Sequence, residues 1–174
     1  MAENMTDAEI KKDRMRFTKN KLSSGLILGA AAVNALYFVS IYGSDVGNYY
    51  YTLFIGVSIV YDLVFMLLAF LSAEGVKVYK MSYSALSVLL GVLQAGRIFY
   101  IPMKAYHAPN PTADAAVPTV MSAGQFGYVS ACLGVSALML ICAGVIGIVR
   151  TRTLNEYQAA LVKQKHGGAD DERA

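Results

Sequence analysis

Four apolar blocks divide the chain, and a short run of polar or turn-forming residues separates each block from the next. The blocks cover residues 24–42, 49–72, 81–103 and about 125–149. Each holds 19 to 25 residues, and a helix needs about 20 residues to cross the hydrocarbon layer of a bilayer. None alternates strictly between apolar and polar residues, as a membrane-spanning strand would. The pattern therefore predicts an all-α integral membrane protein, a bundle of four transmembrane helices.

Turn-forming residues mark the ends of the predicted spans. They are Gly43-Ser44-Asp45 and Gly47-Asn48 after span one, Glu74-Gly75 after span two, and Pro102, Pro109, Pro111 and Pro118 around the segment after span three. The third helix is expected to stop near Pro102, because proline has no amide hydrogen to donate inside a helix.

The distribution of positive charge predicts how the spans are threaded. Of the 174 residues, 56% are apolar and 16% are charged, compared with about 45–50% and about 25% in soluble domains. If all four blocks cross, the Lys and Arg residues of both termini and of the 73–80 loop fall on one side. The other side receives only Lys104. The positive-inside rule then places both termini in the cytoplasm of a cell membrane, and the short loops suggest a bacterial plasma membrane.

Each terminus carries the sequence signature of a helix start. Thr6 and Glu9 are spaced as in a capping box, and so are Thr153 and Glu156. An apolar face follows each pair at helical spacing, which predicts two short amphipathic helices. Such helices would either dock a cytoplasmic partner or serve only as topology signals and helix extensions.

The domain organisation follows from these signals. Residues 1–22 form a basic cytoplasmic segment with a short amphipathic helix, and residues 23–150 form the transmembrane bundle. Residues 151–174 form a cytoplasmic helix and, from His166, a polar tail that is expected to be disordered.

An acidic residue, Asp62, lies in the middle of the apolar run IGVSIVYDLVFML. A carboxylate at the bilayer centre costs about 2.5–3.5 kcal/mol on insertion scales, so it should face other helices. At about 1.5 Å of rise per residue, one polar side chain from each other span falls within about one turn of its depth. Ser58 and Arg97 lie one turn from members of this layer. The predicted intramembrane polar cluster comprises Asn34, Ser58, Asp62, Gln94, Arg97 and Ser136.

The role of this cluster depends on whether Arg97 reaches Asp62, because their axial separation of roughly 9 Å is about the combined reach of both side chains. Without that partner, desolvation favours a neutral Asp62. A neutral Asp62 bonded to Asn34 and Gln94 would be interhelical glue, and Asp62→Asn would leave folding nearly intact. With Arg97 in reach, the pair could mark a polar path or an ion, proton or solute site. A contact with another subunit is the third reading.

Small residues predict close helix packing. Gly25 and Gly29 form a GxxxG pattern on span one, on the side opposite Asn34, and Gly127 and Gly134 belong to a small-residue stripe on span four. A bundle uses one side of a span internally. We therefore expect a homo-oligomer or a larger complex with other membrane subunits.

Catalytic and cofactor motifs are missing from the sequence. It has no P-loop, G-x-S-x-G, H-E-x-x-H or C-x-x-C pattern. Cys132 and Cys142 lie about 15 Å apart along a helix and are expected to be core residues, and His107 has no second ligand nearby. We therefore expect no enzyme activity, no cofactor, no metal and no nucleic-acid partner.

Two functional hypotheses follow. The first is a non-catalytic accessory or scaffold subunit of a larger membrane complex, such as a transport complex. The alternative is a small oligomeric transporter or channel that uses the polar cluster around Asp62.

Overall fold

The computed structural model describes residues 6–42, 53–107, 109 and 121–171, with side chains omitted at 42, 53–55, 101 and 164–171. Its elements are helices α1 (Asp7–Phe17), α2 (Lys21–Tyr42), α3 (Leu53–Lys77), α4 (Met81–His107) and α5 (Ala123–Asp171). The predicted turn at 43–48, the start of span two at 49–52, and Pro111 and Pro118 lie outside the described residues.

Four of these helices, α2 to α5, are long enough and apolar enough to cross a membrane. Each overlaps one of the four predicted apolar blocks, so the prediction of an all-helical fold with four candidate spans is confirmed for the described residues. The most extensive contact between helices is that of α4 with α5. It is followed, in decreasing order, by the contacts of α2 with α5, α2 with α3, and α3 with α4. The shorter helix α1 also contacts α5, though less extensively.

The turn between α3 and α4 lies later than the sequence predicted. The helix continues through Glu74 and Gly75 to Lys77, and the chain reverses at Tyr79, which has a left-handed φ of 56°. The amide of Lys80 donates to the Gly75 carbonyl at 3.1 Å, and the amide of Tyr79 donates to the Val76 carbonyl at 3.1 Å. These two bonds define a Schellman motif. Its left-handed residue, here Tyr79, is usually a glycine. Gly75 serves packing instead, since a Cβ there would collide with the Tyr83 ring.

Two further predicted helix ends are wrong. Helix α4 passes through the buried Pro102 and ends at His107; one proline removes a single backbone bond, which a packed apolar helix tolerates. Helix α5 runs unbroken for 49 residues. The predicted start at Thr153 is an internal position, where the hydroxyl donates to the Val149 carbonyl at 3.0 Å, and no proline interrupts the chain there. The helix extends to Asp171 and so includes most of the predicted tail from His166.

The first helix begins at the predicted residue. The backbone amide and the hydroxyl of Thr6 both donate to Oε2 of Glu9 at 2.9 Å. The helix buries no residue, and Phe17 at its end is 80% exposed.

Among the described residues, two apolar clusters contribute to the core, and a polar layer lies between them along α2. One cluster contains Ile27 and Ala30 of α2 with residues of α3, α4 and α5 such as Phe65, Leu90 and Leu140. The other joins the next turns of α2 to the first half of α5; its buried residues are Tyr37, Ile41, Val129 and Leu133. Asn34 lies between Ala30 and Tyr37 on α2, so the polar layer is enclosed by apolar packing on both sides.

Glycines bring α4 and α5 into close contact. A Cβ on Gly144 would lie 2.8 Å from the Ser84 carbonyl oxygen and 3.0 Å from the Val88 nitrogen. Gly91 likewise faces the backbone of Ala137 across the interface. The close approach allows the Ser87 hydroxyl to donate to the Leu140 carbonyl at 2.9 Å. Because lipid removes most of the hydrophobic driving force for helix association, membrane helices rely on van der Waals contacts, which small residues make possible by letting the backbones come close.

Candidate functional site: a buried ion-pair network

Three helices bring four of the predicted polar residues together. Asn34 projects from α2, Asp62 from α3, and Gln94 and Arg97 from successive turns of α4. Asn34, Asp62 and Gln94 have no exposed surface, and Arg97 is 7% exposed.

The centre of the site is a bidentate ion pair. Nη1 of Arg97 donates to Oδ1 of Asp62 at 2.6 Å, and Nη2 donates to Oδ2 at 3.0 Å. The planar guanidinium matches the carboxylate in this geometry, which is the strongest form of charged hydrogen bond in proteins. Arg97 therefore points along α4 toward Asp62 rather than outward.

The two amides extend the ion pair into a network. Nε2 of Gln94 donates to Oδ1 of Asn34 at 2.6 Å. Nδ2 of Asn34 donates to Oδ1 of Asp62, and Nη1 of Arg97 donates to Oε1 of Gln94, each in a longer contact of 3.4 Å. Together, the four side chains form a closed ring of donors and acceptors that links α2, α3 and α4.

Two tyrosines complete the surroundings of Arg97. Its Cζ lies 4.8 Å from the ring centroid of Tyr37 and 4.6 Å from that of Tyr61, within the range of cation–π attraction. The Tyr37 hydroxyl also accepts from Nη2 at 3.4 Å. The sequence pattern did not identify either tyrosine as part of the site, although Tyr37 follows Asn34 by three positions and Tyr61 adjoins Asp62.

The other two predicted members lie elsewhere. The Ser136 hydroxyl donates to the Ala30 carbonyl at 3.0 Å, so it links α5 to α2 beside the network. Ser58 is half-buried one turn from Asp62 on α3.

No fully buried side-chain nitrogen or oxygen of the four-residue network lacks a hydrogen-bond partner. Among the described residues, the buried side-chain atoms that lack a partner are the hydroxyls of Ser72, Ser84, Ser130 and Thr151. None belongs to the four-residue network. An ion pair whose remaining donors and acceptors are also bonded is the arrangement in which burial of charge is tolerated.

Three of the four glycines predicted to pack helices face open space. A Cβ added to Gly25, Gly127 or Gly134 would meet no atom within 4 Å, whereas one on Gly29 would meet the Met139 side chain of α5. The close contacts within the chain come instead from glycines such as Gly91 and Gly144. The sequence did not distinguish these two faces, because α5 carries small residues on both.

Features typical of a metal or redox site are not found in the described part of the chain. No group of three His, Cys, Asp or Glu residues is placed to hold a metal ion there. Cys132 and Cys142 are free, and Cys142 is exposed. Nδ1 of His107 lies 2.8 Å from the Met103 carbonyl oxygen of its own helix.

Comparison with known protein families, with characterised proteins and with solved structures gave no match.

Proposed function

We propose that the protein is a non-catalytic, multi-pass membrane protein whose four spans form a helix bundle with both termini in the cytoplasm. In this proposal it serves as an accessory or scaffold subunit of a larger membrane complex, such as a transport complex, in a bacterial plasma membrane. The self-contained polar network is the observation that carries the proposal.

The network supports a structural role because its groups satisfy one another. A binding or transport site needs groups that can exchange partners with a solute. Here Asp62 accepts from both nitrogens of Arg97 and from Asn34, and Gln94 bonds to both Asn34 and Arg97. Buried polar networks of this kind hold helices in one register, the use for which they are best attested.

The outer surfaces support the assignment to a larger complex. Large apolar side chains on the outer faces of the helices are not covered by the rest of the chain. Examples, each with 64–68% of its surface exposed, are Val57 and Leu67 on α3, Phe99 on α4 and Leu138 on α5. Gly25 and Gly134 add open small-residue surface on α2 and α5. Lipid covers such faces in a monomer, and small-residue faces also allow close approach of another helix.

A second candidate function is a small oligomeric transporter or channel. One observation favours it, namely that Asp62 and Arg97 are ionisable residues in the middle of apolar helices, where such residues commonly mark transport pathways. In that case the ion pair would open during the transport cycle.

Purification from the native host in a mild detergent separates the two candidates. The scaffold proposal predicts that other membrane subunits co-purify in a fixed stoichiometry, and that liposomes containing this chain alone do not accumulate or release solutes. A homo-oligomer free of other subunits that moves a solute in liposomes, with the movement abolished in Asp62→Asn/Arg97→Gln, would favour the transporter and overturn the scaffold proposal.

A further inference from the structure

A groove lies at the basic end of the helices, between the end of α1, the start of α2 and α5. It has a volume of about 560 Å³ and is lined by Phe17, Thr18, Lys19, Lys21, Leu22 and Arg150. It is separate from the buried network: on α2, Lys21 precedes the network residue Asn34 by thirteen positions.

The groove contains positive charge that no described acidic side chain neutralises. Lys19 and Lys21 are exposed and Arg150 is half-buried. Among the side chains that the structure describes, the ion pairs involve Arg16, Lys77 and Arg97, not these three cations. A small anion in the groove would therefore meet three cationic groups.

Arg150 is held in position by a buried asparagine. Asn20, fully buried between α1 and α2, accepts from Nη1 of Arg150 through its Oδ1 at 2.8 Å. Its backbone amide donates to the Lys77 carbonyl at 3.0 Å, and its Nδ2 donates to the Ser23 hydroxyl at 3.0 Å. These bonds fix the backbone of the segment that carries Lys19 and Lys21 against α5, so both lysines are attached beside Arg150 before any ligand arrives.

The groove also has an apolar wall at the level where the hydrocarbon region would end. Phe17 is 80% exposed and Leu22 is 53% exposed. Arg150 directly follows the last residue of the apolar block of α5, Val149. Cationic groups beside exposed apolar side chains at this depth are complementary to an amphiphile, whose anionic head would meet the cations and whose apolar part would meet the apolar side chains.

We infer that this groove binds the phosphate headgroup of an anionic phospholipid from the leaflet on the basic side. Lys19, Lys21 and Arg150 contact the phosphate, and Phe17 and Leu22 contact the glycerol and the first acyl carbons. Basic pockets between helices at the membrane surface recognise phospholipid headgroups through these interactions. The inference is independent of the proposed scaffold role, since it concerns the membrane surface and not the network.

Lipid titration of the purified protein, followed by native mass spectrometry, tests the inference. The probes are phosphatidylglycerol and the zwitterionic phosphatidylcholine, and the variants are Lys19→Gln/Lys21→Gln and Lys11→Gln/Lys12→Gln. The second double variant is matched, because it removes the same charge from exposed positions of α1 outside the groove. We expect wild type and the control to prefer phosphatidylglycerol, and the groove variant to bind it about 30-fold more weakly, or about 5-fold per lysine.

Three results would overturn the inference. Equal weakening in both double variants would indicate diffuse attraction to charge, and equal binding of the two lipids would indicate an apolar surface only. Displacement of phosphatidylglycerol by an equal concentration of glycerol 3-phosphate would indicate a soluble-anion site. If the groove variant does not fold, Lys19→Gln and Lys21→Gln are measured singly, and unchanged binding in both would contradict the proposal.

Discussion

Arg97 and Asp62 pair through both guanidinium nitrogens and both carboxylate oxygens, at 2.6 and 3.0 Å, although Asp62 is fully buried and Arg97 is 7% exposed. The pair joins α3 to α4, and Asn34 and Gln94 attach it to α2. It combines two costly charges into one neutral unit in the middle of four apolar helices. This relationship is the basis of the proposed bundle.

The ion pair changes the expected consequence of replacing Asp62. The sequence alone allowed a neutral Asp62 whose substitution by asparagine would be nearly silent. With Arg97 bound, the same substitution leaves a buried guanidinium without a counter-charge, which is strongly unfavourable. Asp62→Asn is therefore expected to destabilise the protein.

Topology is testable by labelling introduced cysteines from outside the cell. In a background in which Cys132 and Cys142 are replaced by serine, Asp114→Cys is expected to react with a membrane-impermeant maleimide, and Lys165→Cys is expected to be protected. The expectation follows from the concentration of Lys and Arg at the termini and in the turn near Lys77. Labelling of residue 165 in intact cells would contradict the proposed orientation.

The α4–α5 interface predicts opposite effects for two alanine substitutions on the same helix. Gly144→Ala would place a methyl group against backbone atoms of Ser84 and Val88, which must move, so we expect a loss of about 1–3 kcal/mol in unfolding free energy. Gly134→Ala is the matched control, because a Cβ there meets no atom within 4 Å. It should be neutral or stabilise the helix by up to about 1 kcal/mol. Thermal unfolding in detergent reports both values, and equal effects would contradict the packing described.

The turn after α3 predicts that glycine is favoured over alanine at position 79. Tyr79 adopts a φ of 56°, a conformation that costs a residue with a Cβ about 1 kcal/mol or more. Tyr79→Gly and Tyr79→Ala remove the same ring, but only glycine removes the backbone strain. We expect the glycine variant to be more stable by about 1 kcal/mol, and an alanine variant of equal stability would argue against the left-handed turn.

The start of α1 predicts a dependence on pH. The backbone amide and the hydroxyl of Thr6 donate to the Glu9 carboxylate. These bonds, the amide's being the larger contribution, lower the pKa of Glu9 from its ordinary 4.5. Since the folded pKa is the lower one, the stabilisation is present above pH 4.5 and is lost as the pH falls through the folded value. Amide hydrogen exchange over residues 7–11 should therefore accelerate in acid, after correction for intrinsic rates. In Glu9→Gln this pH-dependent component should disappear; if it persists, another group is responsible.

The sequence predicted the depth of the polar layer but not its pairing. Helical rise alone placed Asn34, Asp62 and Gln94 at similar heights, because apolar helices of known length leave little freedom along the axis. Whether Arg97 would reach Asp62 depended on rotamers and on the rotation of α3 against α4. The sequence also did not predict that Tyr37 and Tyr61 contact Arg97, because an aromatic residue within an apolar run usually packs against other apolar side chains.

The helix ends show where local signals fail. Gly75 resembled a turn residue, yet it makes room for the Tyr83 ring, and the left-handed position is occupied by Tyr79. Thr153 and Glu156 have the spacing of a helix start, but the preceding residues are already helical, so the signal has no effect there. A glycine or capping pattern specifies what a residue can do, whereas tertiary packing decides which use is made of it.

Double-mutant analysis of the ion pair tests the central claim most directly. The unfolding free energies of wild type, Asp62→Asn, Arg97→Gln and the double variant are compared in the same detergent. Glu74→Gln is the control, because its pair with Lys77 is 31–51% exposed and should be worth less than about 1 kcal/mol. Arg97→Gln should cost less than Asp62→Asn, since an unpaired aspartate can become neutral by taking up a proton, whereas arginine remains charged.

We expect Asp62→Asn to lower the unfolding free energy by about 3–5 kcal/mol. The double variant should be more stable than Asp62→Asn, because neither charge then remains buried alone. A double variant whose loss equals the sum of the two single losses, or an Asp62→Asn protein as stable as wild type, would contradict the account.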